Sequence, residues 1–395
     1  MKTANLYSGR TAAYHRFNPL ASLTPQSLSR QLEAFRAGEF REIARTWQAI
    51  EARDDTVQSV AFKRKMAAAR YGWEILPVDG SGNARRHRDA LSEFFRNLRA
   101  VNAHDENERG GFQMLARQMM DAVGKRYAVH EIVWQPGSDG SLGAEFRFVP
   151  LWYFENTSGR LRFLASDAAV EGEALKDGQW MVTTGPGIME ASSVAFMYKH
   201  LPLRDWLIYC ERNGMPGVRG VTDAPPDSPE WLAALEAVQA FGAEYKALMT
   251  RSTEVEVVDL SSRGTLPYPA LIERMDRAIV VLWRGADLST ISRTGGVGAS
   301  LQDEEPDLIA DADASMLSEA LNTYVTPWVT RHCFGQAPLA RIQVRAGRRK
   351  DVDRDLRIFR AAREMGFRID AEDFAERLSF PLSRNQPHST PESHE

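Results

Sequence analysis

Histidines are the side chains best suited to ligate a metal ion or move a proton, and the chain has eight of them. They are widely spaced, and no pair has the HExxH spacing that places two imidazoles on one helix face. His130 lies in the alternating segment YAVHEIVW and points to one face of a predicted strand. We therefore predict a structural role for His130, no metal site and no cofactor.

Carboxylates and hydroxyls give no catalytic pattern either. In DLIADADAS, Asp307 and Asp311 lie one helical turn apart, with Asp313 close by. A solvated helix face near a helix N-terminus is favoured over a metal site there. No GxSxG elbow is present, and no Ser, His and Asp grouping stands out. No catalytic residue is predicted, although an enzyme with a diffuse active site remains one hypothesis.

A glycine-rich segment, SRTGGVGASLQDEE, spans 292–305. It follows no strand and lacks the Lys-Ser or Lys-Thr pair of a phosphate-binding loop. Its glycines predict a flexible polar loop between two long helices, and a loop of this length often has a function. The candidate residues are Ser292, Arg293, Thr294, Gly295, Gly296, Val297, Gly298 and Ser300.

The strongest basic patch lies near the end of the chain. It comprises Arg341, Arg345, Arg348, Arg349 and Lys350. Two interpretations stay open: contact with nucleic acid or a protein partner, or a solvated turn paired with the acids that follow at Asp351, Asp353 and Asp355.

Composition narrows the class of protein. The 395 residues suggest two or three domains, with 43% hydrophobic and 26% charged residues, as in globular proteins. Against 49 Lys and Arg stand 53 Asp and Glu, so a protein that grips DNA by many phosphates is not indicated. Two cysteines exclude a disulfide framework and fit a reducing compartment. No signal peptide and no membrane span are predicted.

Hydrophobic periodicity predicts a mixed α+β chain. Helices are expected from Thr24 onward, at about 84–100 and at 110–124, with a strand at 73–78. Period-two segments between 127 and 185 predict a four-stranded meander. Further helices are expected at 203–213, 228–249, 269–290, 306–331, 351–366 and 370–379, with strands at 253–260 and 339–345. The helix at 269–290 aligns Leu271, Met275, Ala278, Leu282 and Ala286 on one face.

The order of segments between 203 and 305 resembles the Mu-like phage portal family. A helix with Glu211 and Gly214, then Pro216, leads into a Pro- and Gly-rich excursion. A second long helix, ALIERMDRAIVVLWRGADLSTIS, returns to the glycine-containing loop. Upstream, EARDDTVQS, KRKMAAARYGWEI and AVGKRYAVHEIVW are similar as well, so the resemblance covers roughly 40–380.

The resemblance implies a portal fold with wing, stem helices, clip and small crown. The wing would be 1–200, with a tunnel loop and wing helix at 291–345. The stem helices would be 201–214 and 266–290, and the clip between them 215–265. Residues 346–380 would form crown-like helices, and 381–395 a disordered tail.

The resemblance also implies function. Portal proteins form a ring of about twelve subunits at one capsid vertex of the virion, after assembly in the host cytoplasm. Double-stranded DNA passes through the channel; the terminase packaging motor and the head–tail adaptor dock at the clip, here at Met215, Pro216 and Arg219, and the major capsid protein surrounds the ring. Such a protein is not an enzyme and spans no membrane. The alternative is another head-morphogenesis or nucleic-acid-binding scaffold protein.

Overall fold

The structure is a computed structural model that describes residues 18–137, 141–166, 168–214, 218–240, 246–250, 267–285, 297–346 and 352–367. It divides into two units, Met1–Ala346 and Gly347–Glu395. The helices are α1 (Pro25–Arg36), α2 (Arg41–Arg53), α3 (Asp55–Ala69), α4 (Gly82–Asn97), α5 (Phe112–Met119), α6 (Asp121–Lys125), α7 (Met189–Gly214), α8 (Pro229–Ala240), α9 (Tyr268–Arg284), α10 (Val297–Tyr324), α11 (Thr326–Phe334) and, in the second unit, α12 (Val352–Glu364). The strands are β1 (Gly72–Pro77), β2 (Arg99–Asn102), β3 (Arg109–Gly110), β4 (Tyr127–Pro136), β5 (Leu142–Val149), β6 (Phe154–Glu155), β7 (Arg162–Phe163), β8 (Glu173–Ala174), β9 (Trp180–Thr184), β10 (Val218–Thr222), β11 (Lys246–Thr250) and β12 (Ala340–Arg345).

Local signals start the first helices where the sequence predicts. The hydroxyl of Thr24 accepts a hydrogen bond from the Ser27 amide, and Pro25 occupies the first turn of α1. Asp54 caps α3 by accepting a hydrogen bond from the Val57 amide at 2.8 Å. In α2, Ile43, Trp47 and Ile50 are fully buried. Each such side chain contributes about 1.5–3 kcal/mol through burial, so this face fixes α2 in the core.

The predicted meander is wrong in its pairing. The main sheet has the order β3-β2-β5-β4-β9, and β2 runs parallel to β5. The segment RLRFLA supplies β7, which pairs with β6 and β8 in a separate three-stranded sheet. The predicted helix 84–100 ends at Asn97, and its last residues begin β2. Period-two patterning finds strands but does not identify their neighbours, because pairing depends on contacts distant in sequence.

A two-stranded ribbon pairs an early strand of the first unit with its last strand. The predicted strand at 73–78 is confirmed as β1, and it pairs antiparallel with β12. Side chains of α10 cover the outer edge of β12: Asn322 donates to the Ile342 carbonyl at 2.8 Å and accepts from its amide at 3.0 Å. The Val344 amide donates to the Ser318 hydroxyl at 2.9 Å. These contacts protect an edge that would otherwise be open to a further strand.

The middle of the chain forms two long helices and a small βαβ element. α7 runs without interruption from Met189 to Gly214, although Pro202 lies inside it. The predicted boundary between 200 and 201 therefore falls within one helix. The predicted helix 228–249 is wrong at its end, because α8 stops at Ala240 and β11 follows, parallel to β10. The predicted strand 253–260, the helix 370–379 and the tail lie outside the described residues.

The predicted polar loop at 292–305 is shorter than expected. The backbone is helical from Val297, nine residues before the predicted start at 306. Gly298 therefore did not prevent helix formation, since an isolated glycine costs a helix only about 1 kcal/mol. The remaining loop residues, Ser292 to Gly296, lie outside the described residues.

Candidate functional site: a helix pair and its ionic joints

α7 and α9 form an antiparallel pair, here called the helix pair. The indole of Trp283 donates to the Ser192 hydroxyl at 3.0 Å. About two helical turns further along the pair, Lys199 contacts Asp276 at 2.6 Å. Towards the far end, Pro202 and Asp205 of α7 and Tyr268 and Leu271 of α9 line a shared apolar cleft of about 340 Å³. These three levels fix one register along both helices.

Two tryptophans hold the first turns of α7 in the body of the protein. Ser192 and Ser193 are fully buried. Ser193 accepts a hydrogen bond of 3.3 Å from the Trp47 indole of α2, while Ser192 binds Trp283 of α9. A Cβ on Gly124 would lie 3.0 Å from the Trp283 ring, so glycine lets α6 approach this indole. The start of α7 is thus clamped between α2 and α9.

Lys199 is the centre of an ionic joint between three elements. Its ammonium contacts Asp54 at 3.0 Å, Asp55 at 2.6 Å and Asp276 at 2.6 Å, while its side chain is only 6% exposed. Thr56 donates to Asp276 at 2.6 Å and closes the network. We call Lys199 and these three carboxylates the Lys199 joint. It connects the N-terminus of α3 to both members of the helix pair.

The charge state of the Lys199 joint follows from its contacts. Burial alone would lower the pKa of Lys199, but hydrogen bonds to Asp276, Asp55 and Asp54 outweigh it and raise the pKa. The hydrogen bond from Lys199 lowers the pKa of Asp55. The ammonium is therefore protonated and the carboxylate of Asp55 ionised at neutral pH.

A second joint, the Arg64 joint, lies on the other side of α3. The Arg64 guanidinium makes two hydrogen bonds to the Asp313 carboxylate, at 2.9 and 2.8 Å. Its third bond goes to the Trp283 carbonyl at 2.9 Å. The side chains of Arg64 and Asp313 are 13% and 5% exposed, so this bidentate pair joins α3, α9 and α10 inside the body.

Another ionic group joins α2, α3 and α6 in the interior. Lys125 contacts Asp121 at 3.0 Å and Gln48 at 2.5 Å, and Lys65 contacts Asp121 at 2.9 Å and also Glu51. Burial raises the pKa of Asp121, but the charges of Lys125 and Lys65 outweigh it and lower the pKa overall. Two lysines and two carboxylates therefore balance in the interior.

His130 is buried, as its predicted structural role requires. Its ring packs in a tilted arrangement against Phe148, with the two ring centroids 5.4 Å apart. Neither ring nitrogen has a hydrogen-bond partner within the described part of the chain. Burial lowers the pKa of His130 to about 3. Within that same part, no group of three or more His, Cys, Asp or Glu side chains is arranged to hold a metal ion.

The three aspartates of the acidic segment 307–315 on α10 differ in their exposure to solvent. Asp307 and Asp311 are exposed, as the solvated-face interpretation predicts. Asp313 is buried and paired with Arg64, which the sequence did not indicate. The only sequence signal was its position two residues beyond Asp311, on a different side of the helix.

The predicted site residues that the structure describes lie on separate elements. Arg341 and Arg345 are exposed on the ribbon, where Arg345 pairs with Glu74. The rest of the basic patch lies outside the described residues: Arg348, Arg349 and Lys350. Of the clip residues, Arg219 is on β10, while Met215 and Pro216 are not described. Val297, Gly298 and Ser300 lie at the start of α10.

Among the helices that the structure describes, none is long and apolar enough to cross a membrane.

The fold is of the mixed α+β class, and chains with a similar fold occur in solved structures of gene transfer agent particles. The structure is similar to a chain in the virion of the native gene transfer agent particle, with a TM-score of 0.52 and 12% identity over 89% of this chain and 94% of that one. It is also similar to a chain in the neck of the empty gene transfer agent particle computed with C6 symmetry, with a TM-score of 0.50, 13% identity, and the same two coverages, 89% and 94%. At these identities the likeness concerns the fold.

Sequence comparison defines the family within this class. The family described as the portal protein of Mu bacteriophage matches residues 44–380. The chain therefore belongs to the Mu portal protein family, as the resemblance predicted. The portal protein of Escherichia phage Mu is 22% identical over 323 residues, which cover 77% of this chain. The chain spans 60% of the length of that relative.

Proposed function

We propose that the chain is the repeating subunit of a portal ring at one vertex of a phage head, with about twelve copies around a closed rotation axis. Double-stranded DNA enters and leaves through the channel of this ring. The observation that carries the proposal is the helix pair of a portal-family chain, fixed to the body by the Lys199 and Arg64 joints. A channel wall needs long, rigidly anchored elements, because each copy has to hold the same position around the axis.

The proposed parts follow the elements. Residues before α7 and those from α10 to β12 form the wing, with the body that anchors the pair. α7 and α9 are the stem helices, and the βαβ element between them belongs to the clip. The residues Ser292 to Ser300, which include the first turn of α10, face the DNA as the tunnel segment. α12 lies in the crown-like region.

The charge balance supports passage of DNA without tight binding. The net charge is −4, and each phosphate neutralised by a fixed cation would add affinity that translocation has to break. The subunit carries out no enzymatic step of its own. The terminase motor and later the head–tail adaptor dock at the clip through Met215, Pro216 and Arg219, and the major capsid protein holds the wing.

Native mass tests the proposal. Purified protein is measured by mass photometry and imaged in negative stain. We expect rings of about a dozen copies with a central hole. A protein that forms small closed oligomers without a hole would contradict the ring.

DNA binding separates the portal from a nucleic-acid-binding scaffold. The affinity for double-stranded DNA is measured across a salt series. We expect weak binding with a shallow salt dependence, whereas a scaffold that binds phosphates tightly would have high affinity at low salt and lose it steeply as salt is added.

Arg219→Glu is expected to reduce motor or adaptor docking and leave the native mass unchanged.

A further inference from the structure

We infer that α7 contains a hinge at Pro202, at which the far part of the helix pair tilts against the body. The near part is the stretch held by the Lys199 joint and the two tryptophans, and it ends at Leu201 on α7. The far part comprises residues 203–214 of α7 and 268–275 of α9. The use of the hinge rests on the proposed function, while the hinge itself is a property of the single subunit.

Pro202 interrupts the backbone hydrogen bonding of α7. Proline has no amide hydrogen, so the Tyr198 carbonyl lacks the donor that residue 202 would otherwise supply. The pyrrolidine ring also presses against that carbonyl, which opens the helix on the side of the proline. Sharp bends in helices occur at such interior prolines. The middle of α7 is therefore its weakest point against bending.

The burial of α7 changes at the same residue. On the near side, Phe196 and Met197 are 4% and 3% exposed. On the far side, Leu203 and Leu207 are 36% and 59% exposed, and no side chain from residue 203 to residue 211 is buried. Contacts with the body therefore restrain α7 only as far as the hinge.

α9 is anchored over the matching stretch only. Ile279 and Trp283 are 0% and 1% exposed, whereas none of the residues 268–275 is buried. Leu271, which the sequence placed in the packed stripe, is 38% exposed, so that prediction was wrong at this end of the helix. Both helices thus lose their burial on the far side of the Lys199 joint.

The two helices are not closely packed at the hinge. Pro202 lines the apolar cleft of about 340 Å³ together with Tyr198 on α7 and with Tyr268 and Leu271 on α9. Protein interiors are otherwise packed without voids of this size. Because the proline faces the cleft, the widened side of α7 is the side towards α9. Tilting at Pro202 therefore opens or closes the cleft without driving packed side chains into one another.

The hinge gives the span between the two helices freedom relative to the body. Both ends of that span attach to the far part, at Gly214 and at Tyr268, so β10, α8 and β11 move with it. In the proposed ring this span belongs to the clip, where the motor and then the adaptor dock. A clip that tilts fits two different partners in turn, while the near part keeps its place in the ring.

Distances between spin labels test the hinge in the full chain. Labels are attached at the exposed positions Arg96→Cys on α4 and Leu207→Cys on α7, after Cys210→Ser and Cys333→Ser have removed the two free native thiols. Labelled protein is diluted with unlabelled chain, so that double electron–electron resonance measures pairs within one subunit. The control pair is Arg96→Cys with Val194→Cys, since both positions lie on the near side. We expect the distance distribution of the test pair to be about twice as wide as that of the control pair.

Pro202→Ala separates the hinge from general mobility of the far part. Alanine restores the amide donor to the Tyr198 carbonyl and has the highest helix propensity. The distribution between positions 96 and 207 should then narrow to the width of the control pair. Exchange of the amide hydrogens of residues 203–206, which span the hinge, should slow by about tenfold or more. Leu203→Ala, an exposed change beside the hinge, is the matched control and should leave both measurements as in wild type.

The outcomes distinguish the hinge from the ring. A wild-type distribution as narrow as that of the control pair, or one that stays wide in Pro202→Ala, would overturn the hinge and leave the ring standing. A wild-type chain that forms no ring but has the wide distribution would overturn the ring and support the hinge. In assembled particles, Pro202→Ala should form rings of wild-type mass and protect less DNA from nuclease. Normal packaging by this variant would overturn the use of the hinge by the clip.

Discussion

Lys199 shows how much of this molecule depends on single charged side chains in the interior. One ammonium satisfies carboxylates from the N-terminus of α3 and from α9, and Asp54 among them also caps α3. Replacing a buried ionic group leaves its partners in a poorly solvated position. The strength of the joint is therefore tested best by removing the lysine alone and then together with one acid.

Lys199→Met keeps the length of the side chain and removes the charge. We expect a loss of about 3 kcal/mol in the free energy of unfolding, mainly because the Asp54 carboxylate, only 5% exposed, loses its cation. Urea unfolding measures the change. The double variant Lys199→Met, Asp54→Asn should recover most of it, since asparagine still caps α3. Equal stability of wild type and Lys199→Met would show that the joint contributes nothing.

The buried His130 predicts a pH dependence with a definite sign. Its pKa is about 3 in the folded protein and about 6.5 in an unfolded chain. Between these values the unfolded state binds the extra proton, so stability falls as the pH is lowered from 6.5. The slope from this group is about 1.4 kcal/mol per pH unit. His130→Leu should remove that part of the slope between pH 6 and 4, as measured by urea unfolding at each pH. An unchanged slope would show that His130 is solvated.

Residue types alone identified some of these groups and not others. The alternation around His130 sufficed to predict a structural histidine. The Lys199 joint was not predictable, because Lys199 and Asp55 are 144 positions apart in the sequence, and either could as well have been an ordinary surface charge. The same is true of Asp313, which differs from exposed Asp311 only in the side of α10 it occupies.

At the scale of elements, α10 supplies hydrogen-bond partners to the backbone groups of β12 that β1 leaves unpaired. A two-stranded ribbon alone is marginally stable in water. Asn322 and Ser318 take the place of a third strand by bonding the outward amides and carbonyl of β12. The long helix therefore stabilises the ribbon through hydrogen bonds as well as apolar contact.

Removing the Asn322 side chain tests this substitution of a helix for a strand. Asn322→Ala leaves the Ile342 amide and carbonyl without partners and should cost about 2–4 kcal/mol. Hydrogen exchange at the Ile342 amide should accelerate in parallel. Ser318→Ala loses the bond from the Val344 amide and the bond that the hydroxyl donates to the Ala314 carbonyl within α10, leaves only the Val344 amide of β12 without a partner, and should cost about half as much. Similar protection of Ile342 in wild type and Asn322→Ala would contradict the role of this side chain.

Element types were predictable where periodicity is long, and pairings were not. α4, α9 and β12 occur close to their predicted positions. The parallel neighbour of β5 was missed because β2 lies 43 residues upstream, counted from Arg99 to Leu142, behind two helices. The predicted helix 228–249 was too long because its apolar spacing is compatible with a helix throughout. The tertiary context instead makes Lys246–Thr250 a strand.

At the scale of the whole molecule, the first unit combines a packed body of helices and strands with the helix pair that is anchored in it. Sequence reached the family through the order of its segments. It did not indicate that Ile279 and Trp283, rather than Leu271 and Leu282, form the buried face of α9, because an exposed apolar stripe and a buried one look alike in one dimension.

Deleting 293–300 tests the tunnel segment in the intact particle. The deletion removes the first turn of α10 but leaves its anchored part from Asp313 onward. We expect rings of normal mass and reduced retention of packaged DNA, measured as nuclease-protected genome per particle. A variant in which eight Gly and Ser residues replace the segment separates its length from its chemistry. Loss of ring assembly would contradict the tunnel assignment.

The register of the helix pair has a consequence for how such chains can diverge. The Ser192–Trp283 and Lys199–Asp276 contacts are seven residues apart on both helices. One residue inserted between them in either helix would turn one contact by about 100° and break it. Residues added or lost between Gly214 and Tyr268 leave both contacts in phase. The span between the two helices can therefore change in length or sequence during evolution without disturbing the contacts that hold the helix pair to the body.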